Sequence, residues 1–247
     1  DTGMWEGKDG ATPAITYALR GLTYFDLKLH GPSRDLHSGL YGGVLANPMN
    51  LLTRVLGKLM NDENVVQIPG FYDDVADVPA DEAAKWEQLG FDESKYLGDV
   101  GAQPFGEKGY TTLQRRWARS SCDINGLYGG YMSEGAKTVI PSFAGAKVSF
   151  RIPANMDPRK LSKQFTDWVE SHDVGNCRWE ITNHGMADPV AVPADSDWVK
   201  TATRGANALQ LRFGKGELLL GPGALIELVR TGELKVLRGE VKLAPAP

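Results

Sequence analysis

The stretch Arg20-Gly21-Leu22-Thr23-Tyr24-Phe25-Asp26-Leu27-Lys28-Leu29 alternates in character along its length. Phe25, Leu27 and Leu29 share one side with Thr23, and Leu22, Tyr24, Asp26 and Lys28 share the other. Successive side chains of a strand point to opposite faces, so this pattern predicts a half-buried β-strand. Gly31-Pro32 stops it. The run Asp35-Leu36-His37-Ser38-Gly39-Leu40-Tyr41-Gly42-Gly43 comes directly afterwards. There a single histidine stands among small, turn-forming residues, where the backbone turns tightly and the imidazole can project.

The pattern downstream continues the fold. Asn47 is placed to cap a helix with Pro48 at its first position. Met49, Leu52, Val55, Leu56 and Leu59 recur at helical spacing, which predicts a helix to about Met60. Residues 61–120 are acidic and punctuated by Pro69-Gly70, Pro79 and Pro104, and read as an insertion with one helix over residues 80–89. The stretch 100–117 has no clear pattern. Strands follow at residues 121–127, 137–140 and 146–152, separated by a loop at Gly129-Gly130-Tyr131. Asp157-Pro158 opens a second helix, with Leu161, Phe165, Trp168 and Val169 on its apolar face. A last strand covers residues 178–182 and ends at His184-Gly185. Without the insertion the order is strand, helix, strand, strand, helix, strand. The fold expected is α+β, a ferredoxin-like antiparallel sheet with two helices on one face.

The ends read differently. Residues 1–19 are loop-like and resemble the edge of another domain, with the main domain spanning residues 20–190. A third helix is expected over residues 195–210, capped at Asp195 or Ser196. The tail is atypical: it repeats Gly-Glu-hydrophobic units at Gly216, Gly232 and Gly239, and the last two suggest a hairpin around Arg238-Gly239.

Composition removes several classes of function. With 247 residues, 42% hydrophobic and 23% charged, the chain has material for one large or two small cores. A net charge of −4 gives no electrostatic case for nucleic acid binding. No apolar run approaches the roughly 20 residues of a membrane helix, so no membrane partner is expected. No basic-then-apolar leader opens the chain. Cys122 and Cys177 form no Cys-x-x-Cys pair, which argues against a cysteine zinc site. A disulfide between them stays open; a reduced, cytoplasmic setting is the simpler reading. There is no Gly-x-Ser-x-Gly elbow and no phosphate-binding glycine loop.

Five blocks in order carry a resemblance. They are Pro13-Ala14-Ile15-Thr16-Tyr17-Ala18-Leu19-Arg20-Gly21, the His37 loop, Ile68-Pro69-Gly70-Phe71-Tyr72, Gly135-Ala136-Lys137-Thr138-Val139-Ile140-Pro141, and Arg151 with Pro153-Ala154-Asn155-Met156. From Asp1 to about Leu209 the chain resembles M20-type metallopeptidases, most of all the dinuclear-metal dipeptidase branch, over the lid and dimerisation domain. The resemblance implies a homodimer in which His37 reaches into the partner's active site and donates to the oxyanion of the scissile amide. It implies that Arg151 clamps the carboxylate of a peptide-like substrate, that Thr138 holds substrate from the lid, and that His184 binds substrate near the metals. It also implies that Asp1, before Thr2-Gly3-Met4-Trp5, is a metal ligand, with zinc or manganese as the dinuclear cofactor. Read without the family, His37 is a solvent-facing loop histidine and Arg151 an exposed strand-end arginine. Thr138 is then a β-branched strand residue and His184 a satisfied strand-end histidine.

One carboxylate binds zinc poorly, and His30, His37, His172 and His184 show no metal-binding spacing. The family's ending is an Arg-Glu-Gly-Gly-Ser-Ile-Pro type loop with a metal-binding histidine after it. Here Gly214-Lys215-Gly216-Glu217-Leu218-Leu219-Leu220-Gly221-Pro222-Gly223 stands in its place. The chain by itself is therefore expected not to hydrolyse dipeptides. A non-catalytic homodimerisation module and a small metal-independent hydrolase such as an esterase are the alternative readings.

Overall fold

A computed structural model describes residues 2–8, 10–200, 209–213, 216–220, 225–230, 233–238 and 241–245. The chain divides into two compact units. One comprises Leu19–Pro79 and Leu97–Val190, the other Asp1–Ala18, Ala80–Tyr96 and Ala191–Pro247.

The larger unit is built on six elements: β1 (Gly21–His30), α1 (Pro48–Leu56), β2 (Ser121–Gly129), β3 (Phe143–Ile152), α2 (Pro158–Glu170) and β4 (Arg178–Ala187). The four strands form one sheet in the order β2-β3-β1-β4, every neighbouring pair antiparallel. Burial along β1 alternates strictly, as its sequence predicts. Thr23, Phe25, Leu27 and Leu29 are buried under the helices, and Leu22, Tyr24, Asp26, Lys28 and His30 are only partly covered on the opposite, open face.

Both helices start where their caps stand. The Asn47 carboxamide oxygen accepts from Met49 N at 2.9 Å, and the Asp157 carboxylate from Arg159 N at 2.8 Å. Each satisfies one of the first-turn N–H groups that has no partner within the helix. Leu52, Val55 and Leu56 of α1 and Leu161, Phe165, Trp168 and Val169 of α2 enter one core with Phe25, Leu27, Val148 and Phe150. Its centre is aromatic: Phe165 lies 4.7 Å from Phe25 and 4.9 Å from Phe150 between ring centroids, both edge-on.

Several boundaries differ from expectation. α1 ends at Leu56, not Met60: Gly57 caps it, and tighter turns from Val55 and Leu56 carry the chain onward. Leu59 is nonetheless fully buried, which is why the apolar periodicity outruns the helix. β2 runs on through Gly129, and β3 starts at Phe143. β4 does not stop at His184-Gly185 but continues to Ala187. Only Val139–Ile140 of the expected 137–140 strand is a strand. Within 61–120 two further helices form, Glu93–Gly98 and Thr112–Trp117, the latter with a reciprocal Thr111–Gln114 capping box. Beside it Arg119 pairs with Glu107 at 2.6 Å and lies over the Tyr110 ring at 4.1 Å. Cys122 and Cys177 are free thiols.

In the smaller unit, residues 1–19 are not loop-like: Thr2–Gly7 and Gly10–Ile15 pair as antiparallel strands. Ala80–Glu87 is helical, as expected. The helix expected over 195–210 begins at residue 197, with Ser196 Oγ accepting from Val199 N, but Leu209–Phe213 is a strand. Residues 201–208 lie outside the described residues. The tail hairpin is elsewhere too. Glu233–Arg238 pairs with Leu225–Arg230, and Val241–Pro245 pairs with Gly216–Leu220. Among the described residues no helix is long and apolar enough to cross a membrane.

Candidate functional site

The His37 loop is tied to the segment between β2 and β3. Leu36 and His37 pair with Ile140 and Val139, and Ser38 N donates to the Thr138 carbonyl at 3.0 Å. The Asp35 carboxylate accepts from both Ser142 N (2.8 Å) and Ser142 Oγ (3.0 Å). Those two bonds hold its carboxyl below the usual aspartate range. Sequence reasoning saw the histidine but not this tether. Its signal is slight, an aspartate two residues before the histidine.

Local geometry also sets the proton on His37. Its Nδ1 accepts from Gly39 N at 2.9 Å, as the cap of the short helix Ser38–Tyr41. A backbone N–H can only donate, so the neutral imidazole carries its proton on Nε2. A Cβ at residue 39 would sit 2.7 Å from the His37 ring, so glycine is needed there. His37 and Thr138 are both exposed, and they stand side by side.

Arg151 is at the far end of the open sheet face, and His184 nearer its middle. Arg151, exposed on β3, stands opposite Leu22 on one side and Ser121 on the other. Arg20 lies close by: burial first, then the positive charge of Arg151, draws its guanidinium below the ordinary arginine value. His184 occupies an irregularity in the ladder. Tyr24 pairs with Gly185 and Phe25 with Asn183, so His184 is an extra, bulged residue on β4. A bulge re-aims a side chain. The ring lies 5.9 Å from that of Tyr24, with Nε2 3.7 Å from Asp26 Oδ2.

Asp26 gathers further donors. Tyr128 Oη donates to its Oδ1 at 2.5 Å, and Lys147 Nζ to its Oδ2 at 3.4 Å. Burial first, then the bond to Asp26, raises the Tyr128 phenol pKa. The Tyr128 ring lies over Gly145, its cross-strand partner, where an added Cβ would fall 2.1 Å from a ring atom. Asp26, Tyr128 and Lys147 were missed as site neighbours. The available signal was an acid in the middle of a strand between Phe25 and Leu27.

The structure thus sorts the expected residues into two groups. Between Leu22, opposite Arg151, and Gly31, bonded to Ser142, β1 covers on the order of 30 Å. His37 and Thr138 are at one end and Arg151 at the other, with His184 between them beside Tyr24 and Asp26. Asp1 lies outside the described residues. Among the described residues no group of three or more His, Cys, Asp or Glu side chains assembles as a metal site. The described part of the chain does not by itself fit a dinuclear centre.

The peptidase dimerisation domain of the M20 family matches residues 17–177. The chain belongs to the M20 peptidase family. Over 190 residues it is 34% identical to the Cys-Gly metallodipeptidase of Saccharomyces cerevisiae, covering 72% of this chain and 39% of that protein. It is also 34% identical over 161 residues to the Beta-Ala-His dipeptidase of Mus musculus, covering 64% and 32%. The crystal structure of human carnosine dipeptidase 1 superposes with a TM-score of 0.68 at 28% identity, over 83% of this chain and 44% of that one. This M20 chain spans less than half the length of these relatives.

Proposed function

We propose that this M20 chain is the lid and dimerisation part of a metal-dependent hydrolase of dipeptides or related amides, acting as a homodimer. The observation that carries the reading is the separation of His37 from Arg151 within one chain. Residues on the order of 30 Å apart cannot contact one small substrate, whereas a second copy can bring its own His37 to the Arg151 end. Thr138, bound to the His37 loop, travels with it. The loop exposes Leu40, Tyr41 and Val44, apolar side chains whose burial against a partner would favour docking.

In this reading His37 presents Nε2–H to the oxyanion that forms on the scissile carbonyl. Such a donor in a water-excluded site is worth about 3–4 kcal/mol of barrier. Arg151 forks onto the substrate carboxylate, and His184 contacts the substrate beside it. Zinc or manganese is the metal of the assembled enzyme, with Asp1 as this chain's own ligand. The reading of the larger unit as ferredoxin-like rests on its helix and strand order and on the sheet order β2-β3-β1-β4, with 61–120 as an acidic insertion. The setting proposed is cytoplasmic.

Light scattering tests the dimer: a strict monomer at all concentrations would remove the trans role of His37. A chimera tests the site. Residues 17–190, the matched domain together with β4, replace the corresponding segment of the yeast Cys-Gly metallodipeptidase, and subunits carrying His37→Ala are mixed with subunits carrying Arg151→Ala. If His37 acts across the interface, each mixed dimer regains one intact site and activity returns. If it acts within its own subunit, mixing restores nothing.

A further inference from the structure

The two site histidines are held differently, and the difference concerns which nitrogen is left free. His37 spends Nδ1 on the Gly39 amide and offers Nε2–H, a donor. At His184 it is Nε2 that faces protein, 3.7 Å from the Asp26 carboxylate. That distance is too long for a direct hydrogen bond, but an imidazole N–H dipole aimed at a nearby carboxylate is favoured and a lone pair aimed at it is repelled. The carboxylate cannot swing away freely. Tyr128 holds Oδ1 at 2.5 Å, Lys147 holds Oδ2 at 3.4 Å, and the Tyr128 ring is seated over Gly145. The bulge at residue 184 brings the ring onto this face, beside Tyr24.

We propose that Asp26 is a positioning residue that fixes neutral His184 as its Nε2–H tautomer, so that Nδ1 is presented on the open sheet face as an acceptor for an N–H of a peptide-like ligand. This rests on the reading that the open face around His184 receives substrate. One histidine then donates to the developing oxyanion while the other accepts from an amide or ammonium N–H. Together they distinguish the two ends of an amide-containing molecule.

The test is a long-range 1H–15N correlation spectrum of the imidazoles in the full chain, at a pH where they are neutral. Four histidines make it readable, and two serve as references. His30 Nε2 lies 2.6 Å from Glu180 Oε2, and His172 Nδ1 lies 2.8 Å from the Trp168 carbonyl, so they report the Nε2–H and Nδ1–H forms respectively. His184 is expected to favour Nε2–H several-fold more strongly in the native chain than in urea. Asp26→Asn should bring it toward the urea ratio, while Tyr128→Phe, which keeps the carboxylate but removes the hydroxyl that holds it, should lower the bias by less. A His184 ratio equal in native and denatured chain, or unmoved by Asp26→Asn in a variant with a native amide spectrum, overturns the assignment. The native wild-type spectrum decides even if the variant fails to fold. An intact bias together with an inert His184→Ala in the chimera would sink the substrate reading alone.

Discussion

The two faces of the sheet share the same strands and differ in almost everything else. On the helix side, Phe25, Leu27, Val148 and Phe150 are fully buried in one apolar core with residues of α1 and α2. On the open side, one residue away along each strand, stand Asp26, Lys147, Arg151 and the bulged His184, partly or fully exposed. Stability is concentrated on the first face, where burial is worth about 25 cal/mol per Å² of apolar surface. Polar chemistry is concentrated on the second, where the side chains keep contact with water. A substitution should therefore affect folding or binding according to its parity along the strand.

The sharpest way to break that division is Phe165→Ala. It removes the ring between Phe25 and Phe150 and should cost about 3–5 kcal/mol in chemical denaturation. A cost near zero would show that the core is not organised around these rings. His37→Ala is the converse case. In the chimera it should lower kcat by about 10²–10³-fold, with the denaturation midpoint unchanged. Gly145→Ala bridges the two: its methyl would displace the Tyr128 ring from Asp26, at about 1–2 kcal/mol for the lost charge-assisted bond and its repacking. Asp157→Ala removes the cap of α2 and should cost about 1 kcal/mol without touching the open face.

The smallest effect is expected at the His37 loop and depends on pH. The Asp35 carboxyl is held below its unfolded value of 3.8, so folding favours its ionised form. The stabilisation is fully present above that value and is lost as pH falls through the lower folded one. The protection factor of the Ser38 amide, which is bonded to the Thr138 carbonyl, should thus fall only in acid. Asp35→Asn should abolish the acid dependence, and an unchanged acid dependence in that variant would show that another group tethers the loop.

Much of this was legible in the residues. Alternation around Phe25 marked the strand and its buried face. Asn47-Pro48 and Asp157-Pro158 marked both helix starts, because capping is a local interaction between neighbours in sequence. Helix ends were harder to place: Leu59 stays in the core through non-helical turns, and burial periodicity does not distinguish these from helix. The bulge at His184 was invisible, since it exists only as a mismatch between β4 and β1. The hairpin expected around Arg238-Gly239 is not the pairing found: Glu233–Arg238 pairs with the preceding strand Leu225–Arg230, and Val241–Pro245 with the more distant Gly216–Leu220, a choice that local sequence does not decide.

The sequence by itself determined the local structure of this M20 chain: where most of its strands and helices begin, which sides of them are apolar, and that His37 sits in a tight, glycine-flanked turn. Those properties depend on side-chain chemistry at fixed, short spacings. The tertiary structure alone decided which residues act together. It placed Thr138 beside His37, set Asp26 against His184, and left Arg151 about a strand's length from His37. Such groupings follow from strand order and register, which arise when segments far apart in sequence bury a common core.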